Sequence, residues 1–180
     1  MTDDWSREAS TLRALAAAAK DEDDETWRSQ GGRVLILALN ALTASGAVHE
    51  VQEASILCIQ EMILHHPSCV ADYAEVVASK FFEVFARAGP DRKLTTSLAR
   101  ALDQLLASID ALRALEILLP QVSQNFGLLA AALRRLRSEQ ILEHLDIIVA
   151  PIIGAAESDS AEMRKAAIFS LVDLYLIVGE

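Results

Sequence analysis

Apolar residues recur at every third or fourth position along most of this chain, which is the period of an amphipathic helix. The pattern is clearest over residues 48–66 and 94–109 and predicts a helix in each. Weaker versions predict further helices over residues 4–20, 27–45, 68–88, 110–122, 126–137, 138–156 and 160–178. The strongest inward-facing sets are Val51, Ala54, Cys58, Ile59, Met62 and Ile63, and Leu94, Leu98, Leu102, Leu105 and Ile109.

Turn-forming residues separate these segments. Ser45-Gly46 predicts the end of a helix, and Gly89-Pro90-Asp91 predicts a tight turn. Pro67 suits the first position of a helix, and Gly31-Gly32 predicts a break inside one. The acidic run 21–25 suits a helix N-terminus, where it faces the positive end of the macrodipole. Within residues 68–88, Val70, Tyr73, Val77, Phe81 and Val84 are predicted to face inward.

The helices alternate as first and second members of antiparallel pairs. Second helices are predicted to begin near Val51, Leu94, Leu128 and Met163, and the first helices of successive pairs carry Pro120 and Pro151 as late kinks. These offsets are typical of helical repeats of roughly 30–47 residues. We therefore predict an all-α fold, a right-handed α-α solenoid of HEAT-like repeats with one leading helix and about four pairs. Residues 1–25 form the leading helix and acidic turn, and residues 25–180 form one continuous core.

Composition narrows the classes of function. The chain is 52% hydrophobic but only 5% aromatic, and its Leu, Ala and Ile content favours helix over sheet. Its formal net charge of −10 argues against general attraction to nucleic acid or to an anionic membrane. No apolar run reaches the roughly 20 residues that span a bilayer. Cys58 and Cys69 are too few for a disulfide framework, so we expect a soluble protein of a reducing compartment.

Residues 27–180 resemble the C-terminal helical-repeat domain of the CLASP proteins, the CLIP-associating regulators of microtubules. The likeness is strongest over residues 163–172, which read MRKAAIFSLV where the family reads V-R-K-A-x-V-F-C-L-V. It continues through Leu174-Tyr175 and Ile177-Val178-Gly179-Glu180. A second likeness runs from Ile63-Leu64-His65-His66-Pro67 to Asp72-Tyr73-Ala74-Glu75.

The resemblance implies a non-catalytic docking role. In that family the equivalent domain binds CLIP-type plus-end proteins, a kinetochore kinesin or cortical adaptors, which place the protein at microtubule plus ends, spindle and kinetochore in the cytoplasm. We expect an edge formed by turns within the helix pairs to bind short partner segments, with Arg92, Lys93, Arg164 and Lys165 as contacts. Arg134, Arg135 and Arg137 form the densest basic patch. They suit either an acidic peptide or the negative end of a helix.

Two other functions stay open at this point. One is a TOG-like module that binds tubulin and promotes microtubule rescue or polymerisation. In the family that the chain resembles, TOG-type domains contact tubulin through such turns, with an aromatic residue in the first and basic residues in later ones. Here residues 44–47 contain no aromatic residue, residues 157–160 are acidic, and only Arg92-Lys93 fits that pattern. An acidic domain also lacks long-range attraction to acidic tubulin. The other is a generic HEAT scaffold in an unrelated assembly.

Chemical sites are not indicated by any motif. The chain has no glycine-rich phosphate loop, no G-x-S-x-G and no H-E-x-x-H sequence, so we predict no enzymatic activity and no cofactor. The spacing of Cys58, His65, His66 and Cys69 matches no zinc motif, and Cys58 lies on an apolar stripe. Arg164 with Asp159 is typical of an internal HEAT ladder joining neighbouring turns. Trp5 and Trp27 suit core or capping positions.

Overall fold

The structure, a computed structural model, describes residues 2–21, 24–88, 91–120, 129 and 132–179. Ten helices lie wholly within those residues, and none of the described residues is in a strand, which confirms the all-α class. They are α1 (Thr2–Asp21), α2 (Asp24–Thr43), α3 (His49–His65), α4 (Pro67–Ala71), α5 (Ala74–Ala88), α6 (Arg92–Ser108), α7 (Ala111–Leu118), α8 (Ser138–Glu143), α9 (Leu145–Ala156) and α10 (Ala161–Val178).

The chain divides into two compact units, unit 1 (Met1–Ile109) and unit 2 (Asp110–Glu180). Within each unit, neighbouring helices pack in pairs, as they do in an α solenoid of HEAT-like repeats. No helix in the described part of the chain is long and apolar enough to cross a membrane.

Helix α3 lies at the centre of unit 1. It packs against α1, α2, α4 and α6, and α1 contacts it more extensively than any other helix does. Both predicted apolar stripes, on α3 and on α6 with Ile109, are buried. The side chains of unit 1 that are almost fully buried include Leu12, Leu35, Leu42, Ile56, Ile59, Met62, Phe81, Leu98, Leu102 and Leu105.

Local signals explain where several helices of unit 1 begin and end. Helix α2 ends at Thr43, and Gly46 follows with a φ of 79°, a backbone conformation that glycine adopts without strain. Pro67 occupies the first turn of α4. Asp91 caps α6 by accepting hydrogen bonds from the backbone N–H groups of Lys93 and Leu94, at 3.1 Å and 3.0 Å. Gly89, Pro90, Glu22 and Asp23 lie outside the described residues.

Three predictions for unit 1 are wrong. Residues 68–88 are not one helix, because α4 ends at Ala71 and α5 begins at Ala74. Tyr73 lies in the intervening turn and is 37% exposed, so it is not buried as its predicted inward position requires. Gly31 and Gly32 do not break α2. A Cβ at Gly31 would collide with the Cys69 sulfur, so the residue permits close packing inside a continuous helix.

In unit 2, α10 packs against α8 and α9 over a core of leucine and isoleucine side chains. Pro151 lies inside α9 as predicted. Pro120 is not a late kink, because α7 ends at Leu118. Residues 138–156 do not form the single helix predicted. They form two helices, α8 and α9, which meet at His144. The predicted helix 126–137 ends before Arg134, where a turn begins, while Gln124, Asn125 and Leu128 lie outside the described residues.

Candidate functional site

The first candidate surface is the edge of unit 1 where second helices start. We call residues 44–48, between α2 and α3, and residues 91–93, at the start of α6, the loop edge. They border a cavity of about 320 Å³ that is lined in part by Ser45, Gly46, Gln52, Arg87 and Asp91. The structure thus brings together two of the turns that the sequence predicts as a docking edge.

A network of charged side chains crosses the loop edge. His49 lies between two carboxylates, with Nε2 3.1 Å from Glu53 Oε1 and Nδ1 3.3 Å from Asp91 Oδ2. Lys93 forms an ion pair with the same Glu53. The hydrogen bond from Lys93 is the main cause that holds the pKa of the Glu53 carboxyl below its ordinary value. Burial opposes that effect, and the charge of His49 adds to it.

The two predicted cations of this edge therefore differ. Lys93 is 72% exposed at its side chain, yet its ammonium group is paired with Glu53. Arg92 is exposed, and its guanidinium has no hydrogen-bond or ion-pair partner among the described residues. Arg87, beside the cavity, is paired with Glu83 at 2.9 Å. Arg92 is thus the cation of this edge that can meet an acidic partner without breaking an existing pair.

The remaining predicted contacts lie in unit 2. Arg164 donates to the backbone carbonyl oxygens of Ser158 and Asp159, at 2.7 Å and 2.9 Å. It therefore binds the turn of its own helix pair through backbone oxygens, whereas the ladder interpretation expects the arginine to join neighbouring turns. Lys165 Nζ lies 5.8 Å from the centroid of the Phe169 ring, a cation–π arrangement.

The basic patch of unit 2 lies between helical elements. Arg134 and Arg135 lie in a turn, and Arg137 is the residue immediately before α8. Arg134 is paired with Asp173 of α10, with Nη2 3.0 Å from Oδ2. All three arginines are exposed. The patch therefore remains accessible, and its Arg134 guanidinium is paired with Asp173.

A further surface is an exposed row of apolar side chains on α10, which the sequence pattern does not identify as exposed. The α10 stripe consists of large side chains that are 47–74% exposed, namely Ile168, Phe169, Val172, Tyr175 and Leu176. Their spacing of one, three and four residues places them along one side of the helix. Because α10 is apolar on nearly all sides, periodicity alone could not separate its core face from its outer face.

The cysteines lie in surroundings that suppress their chemistry. Burial raises the pKa of the Cys58 thiol to about 12, and burial together with Asp72 also raises the pKa of Cys69. Both thiols therefore stay protonated and weakly nucleophilic near neutral pH. Within the described residues, no group of three or more His, Cys, Asp or Glu side chains could hold a metal ion.

Sequence comparisons identify relatives of the chain. It is 25% identical to "CLIP-associated protein" of Arabidopsis thaliana over 183 residues, covering 97% of this chain and 12% of that protein. It is 21% identical over 177 residues to "CLIP-associating protein 1-A" of Xenopus laevis and to "CLIP-associating protein 1" of Xenopus tropicalis. Each of those matches covers 94% of this chain.

The chain is a relative of the CLIP-associating proteins. This confirms the resemblance to the CLASP family on which the sequence interpretation depends. The chain spans only 12% of the length of each of these relatives, so the similarity concerns one segment of each of them. No protein-family model matches it.

Proposed function

We propose that this chain is a non-catalytic protein-interaction domain of a microtubule-associated CLASP-type protein. Its role is to dock adaptor partners, such as CLIP-type plus-end proteins and kinetochore or cortical factors, that localise the protein. The observation that carries this proposal is the match to CLIP-associating proteins over nearly the whole chain. The paired-helix architecture supports it, because stacked helical repeats offer extended surfaces for protein partners.

Within this proposal the loop edge is the first docking surface. Arg92 is the exposed cation that an acidic residue of the partner meets there, and Lys93 contributes through the network with Glu53 and His49. The secondary contacts lie in unit 2 and are Arg134, Arg135, Arg137, Arg164 and Lys165. The mixed charge of the loop edge favours a short partner segment over a strongly acidic surface such as that of tubulin.

The decisive experiment compares two charge reversals in a pull-down from cell extract at moderate salt, read by mass spectrometry. Arg92→Glu is expected to lose at least half of the CLIP-type, kinetochore or cortical proteins that the unaltered chain captures. Arg28→Glu is the matched control, because Arg28 is an exposed arginine near the start of α2, whereas the loop edge follows its end. Arg92→Glu is cleaner than a change at Lys93, which would also leave Glu53 without its ion-pair partner.

Two outcomes would count against the proposal. Equal capture by the two variants would remove the loop edge from the docking mechanism. Recovery of tubulin as the main captured species, followed by its co-migration with the chain on gel filtration, would favour the tubulin-binding function instead.

A further inference from the structure

His49, the first residue of α3, lies between the two turns that form the loop edge. Each of its ring nitrogens is within hydrogen-bonding distance of a different carboxylate, Nε2 of Glu53 and Nδ1 of Asp91. Glu53 belongs to the same helix, whereas Asp91 is the residue that caps α6. The imidazole ring therefore bridges the start of α3 and the start of α6.

The protonation state of His49 decides how many of these two contacts are hydrogen bonds. Ionised carboxylates only accept hydrogen bonds, so each ring nitrogen needs an N–H group to bond to one. A neutral imidazole has a single N–H, and its other nitrogen presents a lone pair, whereas an imidazolium has two N–H groups. Only the protonated ring can therefore donate to Glu53 and Asp91 at the same time.

The neighbouring charged groups do not replace the ring in this bridge. Three further cations near the start of α3 are already paired with a carboxylate, namely Lys93 of α6 with Glu53, Arg13 of α1 with Glu50 and Arg87 of α5 with Glu83. The turn before α3, residues 44–48, contains no titratable side chain, and α4 follows the opposite end of α3. Within the described residues, His49 is the cation that forms an ion pair with Asp91.

We propose that His49 is a proton-operated clip of the loop edge, whose protonation joins α3 to the N-cap of α6 and strengthens the docking of an acidic partner segment. This inference rests on the docking function proposed above. The protonated ring adds one positive charge to the surface where Arg92 meets the partner. The bridge also holds the two turns in one arrangement, which reduces the conformational entropy that docking has to overcome.

The exposure of the bridge sets the size of the effect. The side chains of His49 and Asp91 are 42% and 39% exposed, so water and salt screen their interaction. Ion pairs of this exposure change an equilibrium by up to about fivefold. Histidine ordinarily changes its charge between about pH 5 and pH 8. The clip therefore tunes the affinity of the loop edge over that range and does not switch docking fully on or off.

The first arm of the test needs no partner. In ¹H–¹⁵N NMR of the full chain between about pH 5.5 and pH 8, the backbone amides of residues 44–48 and 91–93 are expected to shift in step with the titration of the His49 ring. His49→Gln, which takes up no proton in this range, is expected to remove those shifts. His65→Gln is the matched control, because His65 is the last residue of α3 and contacts Glu61, away from the loop edge.

The second arm measures docking itself. We consider the proteins that the unaltered chain captures from cell extract and that Arg92→Glu loses. Their recovery is expected to be about two- to fivefold greater at about pH 6 than at about pH 8. His65→Gln is expected to keep that ratio, whereas His49→Gln is expected to bring it close to one. Because both variants meet the same extract, their comparison cancels the effect of pH on the partners.

Two results would overturn the proposal. One is a set of loop-edge amides that do not follow the titration of the His49 ring, and the other is a pH ratio of capture that His49→Gln leaves unchanged. A failure to capture any protein through Arg92 would instead overturn the docking function, together with the effect of the clip on it. The NMR arm would still show in that case whether the protonated ring joins the two turns.

Discussion

Helices α3 and α10 are both rich in apolar residues, but they differ in how many of those residues are buried. In α3, eight of 17 residues are buried, whereas in α10 only Ala167, Ser170 and Leu174 of 18 are buried. The difference arises from their neighbours. Within unit 1, α3 is covered by α1, α2, α4 and α6, whereas α10 packs within unit 2 against α8 and α9. Apolar content predicts that a helix has a face to bury, and the number of packed neighbours decides how much of it is buried.

The largest expected effect comes from deleting the same side chain on the two helices. Ile59 of α3 is fully buried and Ile168 of α10 is 56% exposed. Ile59→Ala is expected to lower the free energy of unfolding by about 2–5 kcal/mol, because it leaves a cavity in a packed core. Ile168→Ala is expected to change it by no more than about 0.5 kcal/mol, as surface substitutions usually do.

Urea denaturation followed by circular dichroism measures both changes. Equal losses of stability for the two variants would show that the α10 stripe is covered in solution, and would remove the contrast between the two helices.

Replacing two helical glycines with alanine is expected to have smaller effects on stability, and the two effects are expected to have opposite signs. A Cβ at Gly31 of α2 would meet the Cys69 sulfur, whereas a Cβ at Gly154 of α9 meets nothing within 4 Å. Gly31→Ala is expected to destabilise the protein by about 1–3 kcal/mol through overpacking. Gly154→Ala is expected to stabilise it by up to about 1 kcal/mol, because alanine favours the helix. Thermal unfolding of both variants checks this, and a stabilised Gly31→Ala variant would mean that the contact with Cys69 relaxes freely.

The smallest effect concerns the charged network of the loop edge. Since the pKa of Glu53 is lower in the folded state than in the unfolded state, its ion pairs stabilise the fold above the ordinary glutamate pKa of about 4.3. That contribution is lost as the pH falls below about 4.3 and through the lowered pKa. Glu53→Gln is expected to reduce stability slightly at neutral pH and to flatten this acid-side decline, as acid titrations of unfolding would reveal. An unchanged acid-side slope would contradict the assignment to Glu53.

Much of the fold follows from the sequence because helix periodicity and turn residues act locally. The predicted bounds of the helices at 48–66 and 160–178 differ by at most one residue from those of α3 and α10. The failures are tertiary in origin. Gly31 lies in a continuous helix, where its missing Cβ leaves room for the Cys69 sulfur. The turn at Tyr73 interrupts a segment whose apolar pattern continues.

The candidate surfaces were predictable only in part. The turns that form the loop edge follow from Gly46 and Asp91, which are local signals. The pairing of Lys93 with Glu53 joins residues 40 positions apart, and no local pattern indicates it. The burial of Gln104 Oε1 without a hydrogen-bond partner among the described residues is equally hidden from the sequence, since burial is set by tertiary packing.

The placement of the tryptophans has a practical consequence. The chain has two, Trp5 and Trp27, and both belong to unit 1. Trp27 is 3% exposed and stacks on His66 with ring centroids 4.9 Å apart, so its emission is sensitive to the loss of that environment. Indole fluorescence therefore reports on the unfolding of unit 1, while circular dichroism reports on the helices of both units. Coincidence of the two transitions measures directly how far the two units unfold as one cooperative system.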